Sequence, residues 1–279
     1  MLPAILVWLL LAFSIGCALT KTTAWRIPLL LTLIAAVTFN VLTVIGAAIM
    51  ISGITIACFT AHQQAKPLLY AGHIIVVLWI IGLILHLYPG INNLLVLDHV
   101  NSGPLSRPFT LYFNIDKPML IFALLLLVPN IVSNNEYNWH HLSLSLRQKT
   151  IIGGGLISLP LLAWALQLVQ PELTLPSWWW IFAINNLIFT CVAEEVLFRG
   201  YIQGLLCKKL APTIAITIAS ILFGLAHFAG GPLFIIIATL AGIVYGLSYY
   251  WTKKITVAIV VHFAFNVLHL FFFTYPLPL

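Results

Sequence analysis

The stretch TCVAEEVLFRGYIQ, residues 190–203, places Glu194, Glu195 and Arg199 inside a run that otherwise predicts one long apolar helix. An ionisable group at membrane depth costs at least about 2.5–3.5 kcal/mol, so it needs a partner or a function. Glu195 and Arg199 are four residues apart on one helix face, so they can form an ion pair. Glu194 lies about 100° around the helix from Glu195 and has no local partner. Glu194 is therefore the first candidate for a functional residue.

The composition around this stretch is that of an integral membrane protein. Of 279 residues, 62% are hydrophobic and 6% are charged, and the mean hydropathy is +1.10. Soluble domains carry about 25% charged residues. The basic residues stand singly or in pairs between apolar runs, so the net charge of +6 reflects membrane topology and excludes a nucleic-acid-binding function. The four isolated cysteines have no paired spacing, which indicates neither a disulfide framework nor a zinc ribbon.

The hydrophobic pattern predicts an all-α, polytopic membrane helical bundle. Residues 2–19 form a first span, with a cleaved signal peptide as the alternative. Residues 27–59 would be about 50 Å long as one helix, so they form one tilted helix or two crossings that turn near residues 44–46. Further apolar spans are predicted at residues 67–88, 118–132, 151–169, 212–229, 233–251 and 255–273. A long helix that ends at residue 206 is predicted between the third and the fourth of these spans.

Two polar segments, 89–117 and 133–150, predict loops, of which the first includes an interfacial segment. An internal boundary at the second loop divides the N-terminal transmembrane helices, residues 1–150, from a catalytic transmembrane core, residues 151–279. The two parts are expected to pack as one bundle. The lysine pairs at 208–209 and 253–254 fall on one side of the membrane, which the positive-inside rule identifies as cytoplasmic.

Four polar side chains on three helices are predicted at a similar depth. At about 1.5 Å per residue from the nearest cytoplasmic helix end, Glu194, His227 and Asn266 lie about 21, 22 and 18 Å deep. His262 is one turn shallower than Asn266, and its side chain points the same way. A carboxylate, two imidazoles and an amide are therefore expected to meet at one level.

These residue types suit the hydrolysis of an amide. A desolvated carboxylate can act as a base towards water, and a neutral imidazole can share that water. A second imidazole and an amide N–H can donate to the oxyanion of the tetrahedral intermediate. In the last four predicted spans, no serine lies within one helical turn of a histidine on the same helix, which disfavours a serine nucleophile. Cys191 is a weaker candidate nucleophile, because an apolar site disfavours the thiolate.

The same residues have other interpretations. Membrane histidines and Asn266 can serve only in packing and interhelical hydrogen bonds, and Glu195 with Arg199 can be purely structural. One carboxylate and two imidazoles are also a plausible zinc set, so a zinc-dependent protease is the alternative to an enzyme without a cofactor. There are two non-enzymatic alternatives. One is a transporter or proton relay that uses Glu194 as its titrating group, and the other is a catalytically silent immunity or scaffold protein.

Three motifs follow one another on successive helices: Glu194-Glu195-x-x-x-Arg199, Phe223-x-x-x-His227 and His262-x-x-x-Asn266. Together they resemble the CPBP family of CAAX-processing and bacteriocin-processing intramembrane endopeptidases, which is related to the Ras-converting prenyl endopeptidase. The resemblance covers roughly residues 190–270. It implies a glutamate-type endopeptidase of about eight transmembrane helices, in the cell membrane, with a cavity open to the cytoplasmic side.

The resemblance also implies a role for each motif residue. Glu194 and His227 would activate water, and His262 and Asn266 would form the oxyanion hole. The ion pair of Glu195 and Arg199 would support and orient the site. The implied partners are membrane lipids and a membrane-associated peptide substrate, with prenylated and bacteriocin-like peptides as the candidate classes, and the reaction would use no metal.

Overall fold

A computed structural model describes residues 2–20, 22–133, 136 and 144–279. Within these residues the chain is all-α apart from one two-stranded sheet, which confirms the predicted fold class. The chain folds into two compact units: residues 1–96, 112–134 and 188–193 in the first, and residues 97–111, 135–187 and 194–279 in the second. The boundary at residue 150 between N-terminal helices and catalytic core stays a prediction.

The first unit is built from helices α1 (Leu2–Leu19), α2 (Arg26–Thr38), α3 (Val44–Ala61), α4 (Lys66–Ile84) and α5 (Asp116–Leu127). Helix α1 packs against α2, and α3 packs against α4 and α5. Residues 27–59 thus contain parts of two helices. The chain turns between them at Asn40, which has a φ of 57°, and the Thr43 side chain caps α3 by accepting a hydrogen bond from the Gly46 N–H at 3.2 Å.

Two predictions for the middle of the chain are corrected. The segment 89–117 contains strands β1 (Leu94–Val100) and β2 (Phe109–Phe113), which pair although Asn, Gly and Pro around them predicted a loop. The span predicted at 118–132 is instead α5, whose 12 residues reach about 18 Å and cannot cross a core of about 30 Å. Nine of those residues are buried, so this run is apolar because it lies inside the unit.

The second unit contains most of α7 (Trp179–Leu206), together with α6 (Leu146–Ala165), α8 (Pro212–Leu225), α9 (Pro232–Thr252) and α10 (Ile255–Phe272). Helix α9 packs against α6, α8 and α10. A capping box of Ser145 and Gln148 starts α6 five residues before the predicted span. Helix α8 ends four residues early, so His227 lies just beyond it. Half of the predicted polar loop 133–150 lies outside the described residues, and residues 146–150 belong to α6.

Within the part of the chain that the structure describes, five helices are long and apolar enough to cross a membrane: α3, α4, α7, α9 and α10. The apolar segments of α1, α2 and α8 are shorter. Large apolar side chains on the outside of the helices, such as Phe13 and Phe59, are 64% and 63% exposed. Such a surface suits lipid and not water. The chain is therefore a polytopic membrane protein, and the number of about eight crossings stays a prediction.

Candidate active site

Glu194 and Glu195 occupy an α-helical turn between two π-helical segments of α7. The turn is Val192–Glu195, and the π-helical segments are Asn185–Cys191 and Val196–Gln203. Single π-helical turns occur frequently at functional sites, because they shift side chains out of the regular α-helical register. The irregular backbone therefore coincides with the acidic pair that the sequence singled out.

The predicted ion pair of Glu195 and Arg199 is present and completely enclosed. Arg199 Nε lies 3.2 Å from Glu195 Oε2, and both side chains are fully buried. Arg199 Nη2 donates a hydrogen bond of 3.0 Å to the Gly242 carbonyl, and the guanidinium carbon lies 4.5 Å from the centre of the Phe223 ring. The attraction of a cation to a ring face adds to the pairing, so several groups compensate the buried charge.

Glu195 also holds His262. The second carboxylate oxygen, Oε1, lies 2.8 Å from His262 Nδ1. Because an ionised carboxylate only accepts hydrogen bonds, Nδ1 carries the hydrogen in this contact. Tyr245 stacks on the imidazole, with 4.5 Å between ring centres and an interplanar angle of 15°. His262 is therefore fixed both in its ring plane and in its tautomer.

Glu194 lies on the far side of the same imidazole. Its Oε2 is 3.9 Å from His262 Nε2, although the side chain as a whole is 29% exposed. This oxygen is itself buried and has no hydrogen-bond partner among the described residues. A separation of 3.9 Å is too long for a direct hydrogen bond and suits a bridging water. Within the described part of the chain, Glu194 forms an ion-pair contact with His262 and none with His227.

His227 lies in the turn that follows α8. Its Nδ1 is 2.8 Å from the Phe223 carbonyl, and its ring centre is 4.6 Å from that of Phe223. A carbonyl oxygen accepts, so Nδ1 is the donor and Nε2 of the neutral ring is an acceptor. The sequence placed His227 inside a span; the structure places it at the end of the helix, where its backbone N–H bonds to the Gly224 carbonyl at 2.9 Å.

The two motif histidines and Asn266 line one cavity of about 80 Å³ in the second unit. Its other walls are mainly apolar: Pro160, Ala163, Leu168, Val169, Phe223, Phe234, Ile237, Ala238, Ala241, Tyr245, Phe265 and His269. Glu194 is not among the described residues that line this cavity. It is connected to the cavity through its contact with His262.

Asn266 reaches the first π-helical segment. Its Nδ2 donates a hydrogen bond of 3.0 Å to Asn186 Oδ1. An amide nitrogen carries two hydrogens, so this bond uses one of them. Sequence reasoning missed Asn186, although the pair Asn185-Asn186 in an apolar helix was an available signal.

A regular ladder joins α7 to α9. Arg199 and Gln203, one turn apart, donate to the carbonyls of Gly242 and Gly246, which are also one turn apart, at 3.0 Å each. Small residues spaced by four let two helices approach closely. The signal Gly242-x-x-x-Gly246 was present in the sequence and was missed.

The metal alternative has a defined geometric requirement. Among the described residues, no group of three or more His, Cys, Asp or Glu side chains is placed to hold a metal ion. The zinc-dependent interpretation and the cofactor-free one both stay predictions.

Searches against curated proteins and against solved structures found no significant match to the chain. A family model described as "type II CAAX prenyl endopeptidase Rce1-like" matches residues 176–268. The matched segment contains all three motifs, from Glu194 to Asn266. The resemblance predicted from those motifs is thereby confirmed, and residues 176–268 are similar to the Rce1-like type II CAAX prenyl endopeptidases.

Proposed function

We propose that this protein is an intramembrane endopeptidase that hydrolyses a peptide bond in a membrane-associated or lipidated peptide. The observation that carries the proposal is the buried Oε2 of Glu194, which has no hydrogen-bond partner among the described residues and lies 3.9 Å from the Nε2 of an imidazole fixed on its other side. A water beside this pair can hydrogen-bond to both the base and the imidazole. The Rce1-like match over the same residues supports a protease.

The charges of Glu194, Glu195 and Arg199 support Glu194 as the base and His262 as the hydrogen-bond donor. Ionised Glu194 and Glu195 with Arg199 sum to one negative charge, so one further proton makes the group neutral. When the proton is on His262, Nε2–H is a donor and Glu194 is an ionised base. The cluster is then charged in the way that hydrolysis requires.

In the proposed reaction, Glu194 takes one proton from water while the hydroxide oxygen bonds to the substrate carbonyl carbon. His262 Nε2–H and the side-chain amide of Asn266 donate to the carbonyl oxygen as it becomes an oxyanion. The C–N bond then breaks, and the proton on Glu194 passes to the leaving nitrogen, which departs as an amine. The acid product retains the water oxygen, and the enzyme returns to its starting charge.

His227 is proposed to orient the water. Its Nδ1–H bonds to the Phe223 carbonyl, so Nε2 is the nitrogen that accepts from a water O–H. The mainly apolar cavity is suited to a hydrophobic part of the substrate. Prenylated CAAX peptides are the first class to test, and bacteriocin-like peptides the second. The proposed location is the cell membrane, with the site reached from the cytoplasmic side.

The test is cleavage of a farnesylated CAAX peptide, and of an unmodified membrane-anchored peptide, by the purified protein. We expect Glu194→Gln and His227→Ala to lower kcat at least about 100-fold, the range expected for loss of a general base. Asp98→Asn, which changes an exposed carboxylate of β1, is the matched control and should retain activity. Wild-type rates for Glu194→Gln would disprove the mechanism.

The same assay separates the zinc alternative. A metal-independent reaction should continue after chelation, with no stoichiometric metal found by elemental analysis. Activity that is lost on chelation and restored by Zn²⁺ would replace the proposed mechanism with a metal-dependent one.

A further inference from the structure

The first unit has a cavity of its own, of about 500 Å³, which the proposed reaction does not use. It lies where four helices end on one side of the unit. Ala18 is near the end of α1, Arg26 starts α2, His62 follows α3, and Leu127 ends α5. The basic residues Arg26 and Lys66 flank these helix ends, so by the positive-inside rule this side is cytoplasmic.

This side of the first unit carries positive charge without a nearby carboxylate. The residues of the first unit include a single carboxylate, Asp116, which begins α5 and therefore lies at the opposite end of that helix. Asp116 is already paired there, 2.5 Å from His86 Nδ1. None of the described residues that line the cavity is acidic, and one of them is Arg26. No carboxylate of the unit is therefore placed to neutralise Arg26.

The polar groups of the cavity are suited to an anion. The lining includes Arg26, the imidazole of His62, the hydroxyl of Thr23 and the amide of Asn130. His62 Nδ1 is 2.8 Å from the Cys58 carbonyl, which fixes the orientation of the ring. A guanidinium group presents several N–H donors in a plane, a geometry that matches the oxygens of a phosphate.

Apart from Thr22, the rest of the lining is apolar. Hydrocarbon surface beside the polar groups comes from Trp25, from the three leucines at 125–127 and from Val132. The guanidinium carbon of Arg26 lies 5.8 Å from the centre of the Trp25 ring, so charge and apolar surface are adjacent. A free phosphate would use only the polar part of this lining, whereas an amphiphile would use both.

We propose that this cavity binds the headgroup and upper acyl chain of an anionic phospholipid from the cytoplasmic leaflet. The phosphate would bind Arg26, assisted by the polar groups of Thr23, His62 and Asn130. The glycerol and first acyl carbons would lie against the apolar wall. Basic pockets between helices on the cytoplasmic side are suited to this class of lipid, because the inner leaflet supplies anionic headgroups.

The experiment measures the midpoint of thermal unfolding of the full-length protein in detergent as lipid is added. Phosphatidylglycerol should raise the midpoint saturably, and phosphatidylcholine of the same acyl composition should not, because a ligand of the folded state stabilises it by mass action. Arg26→Gln should weaken the phosphatidylglycerol effect at least about tenfold in apparent affinity, and Arg26→Lys, which keeps the charge but not the planar donors, should lose less. Arg107→Gln, at an exposed site of the second unit, is the matched control and should behave like wild type.

A separate arm distinguishes a lipid site from a phosphate site. Inorganic phosphate at millimolar concentration should neither raise the midpoint nor displace phosphatidylglycerol. If phosphate competes, or if phosphatidylcholine stabilises equally, the lipid site is rejected. If Arg26→Gln and Arg107→Gln lose apparent affinity for phosphatidylglycerol equally, the effect is one of general charge and the proposal is overturned. The measurement does not depend on proteolytic activity, so its outcome is independent of the proposed function.

Discussion

Arg199 is a buried cation whose compensation comes from several directions. Glu195 neutralises it, the Gly242 carbonyl accepts a hydrogen bond, and the Phe223 ring covers one face. Through Glu195 the same ion pair determines which nitrogen of His262 carries hydrogen. The arginine thus acts on the imidazole indirectly, as a positioning residue two contacts away.

This arrangement predicts strong coupling between Arg199 and Glu195. Arg199→Met should lower the free energy of unfolding by about 3–5 kcal/mol, because it leaves a buried carboxylate unpaired. Glu195→Gln should destabilise as well. The double variant should be more stable than the sum of the two single losses predicts, since neither charge is then left alone. Equilibrium unfolding in mixed detergent micelles measures all three, and strictly additive losses would contradict the coupling.

The motif residues show which contacts can be predicted from the spacing of residues along one helix. The four-residue spacing predicted the Glu195–Arg199 pair and the shared direction of His262 and Asn266. The structure has that ion pair, and both His262 and Asn266 line one cavity. The partner of Glu194 was not predictable in this way. His262 is 68 residues further along the chain, and helix rotation alone decides which of two motif histidines lies nearer.

Helices α7 and α9 are joined by matching hydrogen bonds at intervals of one turn. A Cβ atom on Gly242 would lie 3.1 Å from Ser220 Cβ and 3.2 Å from Arg199 Nη2. A Cβ atom on Gly246 would lie 2.8 Å from Gln203 Oε1. The two glycines therefore permit the close approach that the donor side chains require.

We predict that Gly242→Ala and Gly246→Ala each destabilise the protein by about 1–3 kcal/mol, the usual cost of overpacking a tight contact. Gly153→Ala in α6 is the matched control, because its added methyl would meet no atom within 4 Å. That control should be neutral or stabilising by up to about 1 kcal/mol, since alanine favours helix more than glycine. Thermal unfolding of the three variants tests this, and equal midpoints for all three would refute the role of the ladder.

The hydrophobic pattern was most informative for long helices. It predicted α4, α7, α9 and α10 to within a few residues, because a run of about 20 apolar residues is the length that a membrane span requires. For residues 27–59 it left one helix or two open, and the structure has two. It failed for α5, where a buried helix of 12 residues has the same composition as a short span. It also gave no indication of the π-helical segments of α7, whose hydrogen bonding reflects packing and not local preference.

Across the second unit, a buried carboxylate joins three segments that are distant in sequence. Glu172 accepts hydrogen bonds from the Leu105 N–H at 2.6 Å and from the Ser106 hydroxyl, and its own N–H donates to the Phe272 carbonyl at 2.9 Å. Nearby, Val169 and Phe273 belong to an apolar cluster with Ala163 and Ile237, three of which also line the active-site cavity. The cluster thus links the C-terminal segment to the cavity wall.

Glu172→Ala should therefore expose the C-terminal segment. We expect a loss of about 1–3 kcal/mol in the free energy of unfolding, because the Leu105 N–H and the buried Ser106 hydroxyl lose their acceptor. Limited proteolysis should cut the variant within residues 273–279 faster than wild type. Glu172→Gln keeps an acceptor oxygen, so its rate of proteolysis should lie between those of Glu172→Ala and wild type. Identical proteolysis of Glu172→Ala and wild type would show that the carboxylate does not hold the segment.

Composition and apolar run length were sufficient to establish a polytopic all-α membrane protein, and the order of three short motifs was sufficient to establish its family resemblance. Both properties follow the order of residues along the chain, since a span is a run of about 20 residues and each motif is five or six residues long. The contact of Glu194 with His262, the tautomer imposed by Glu195, the bond from Asn266 to Asn186 and the walls of both cavities required the folded chain. Each depends on the rotation of one helix against another, and that rotation is determined by side-chain packing between segments that lie far apart in the sequence.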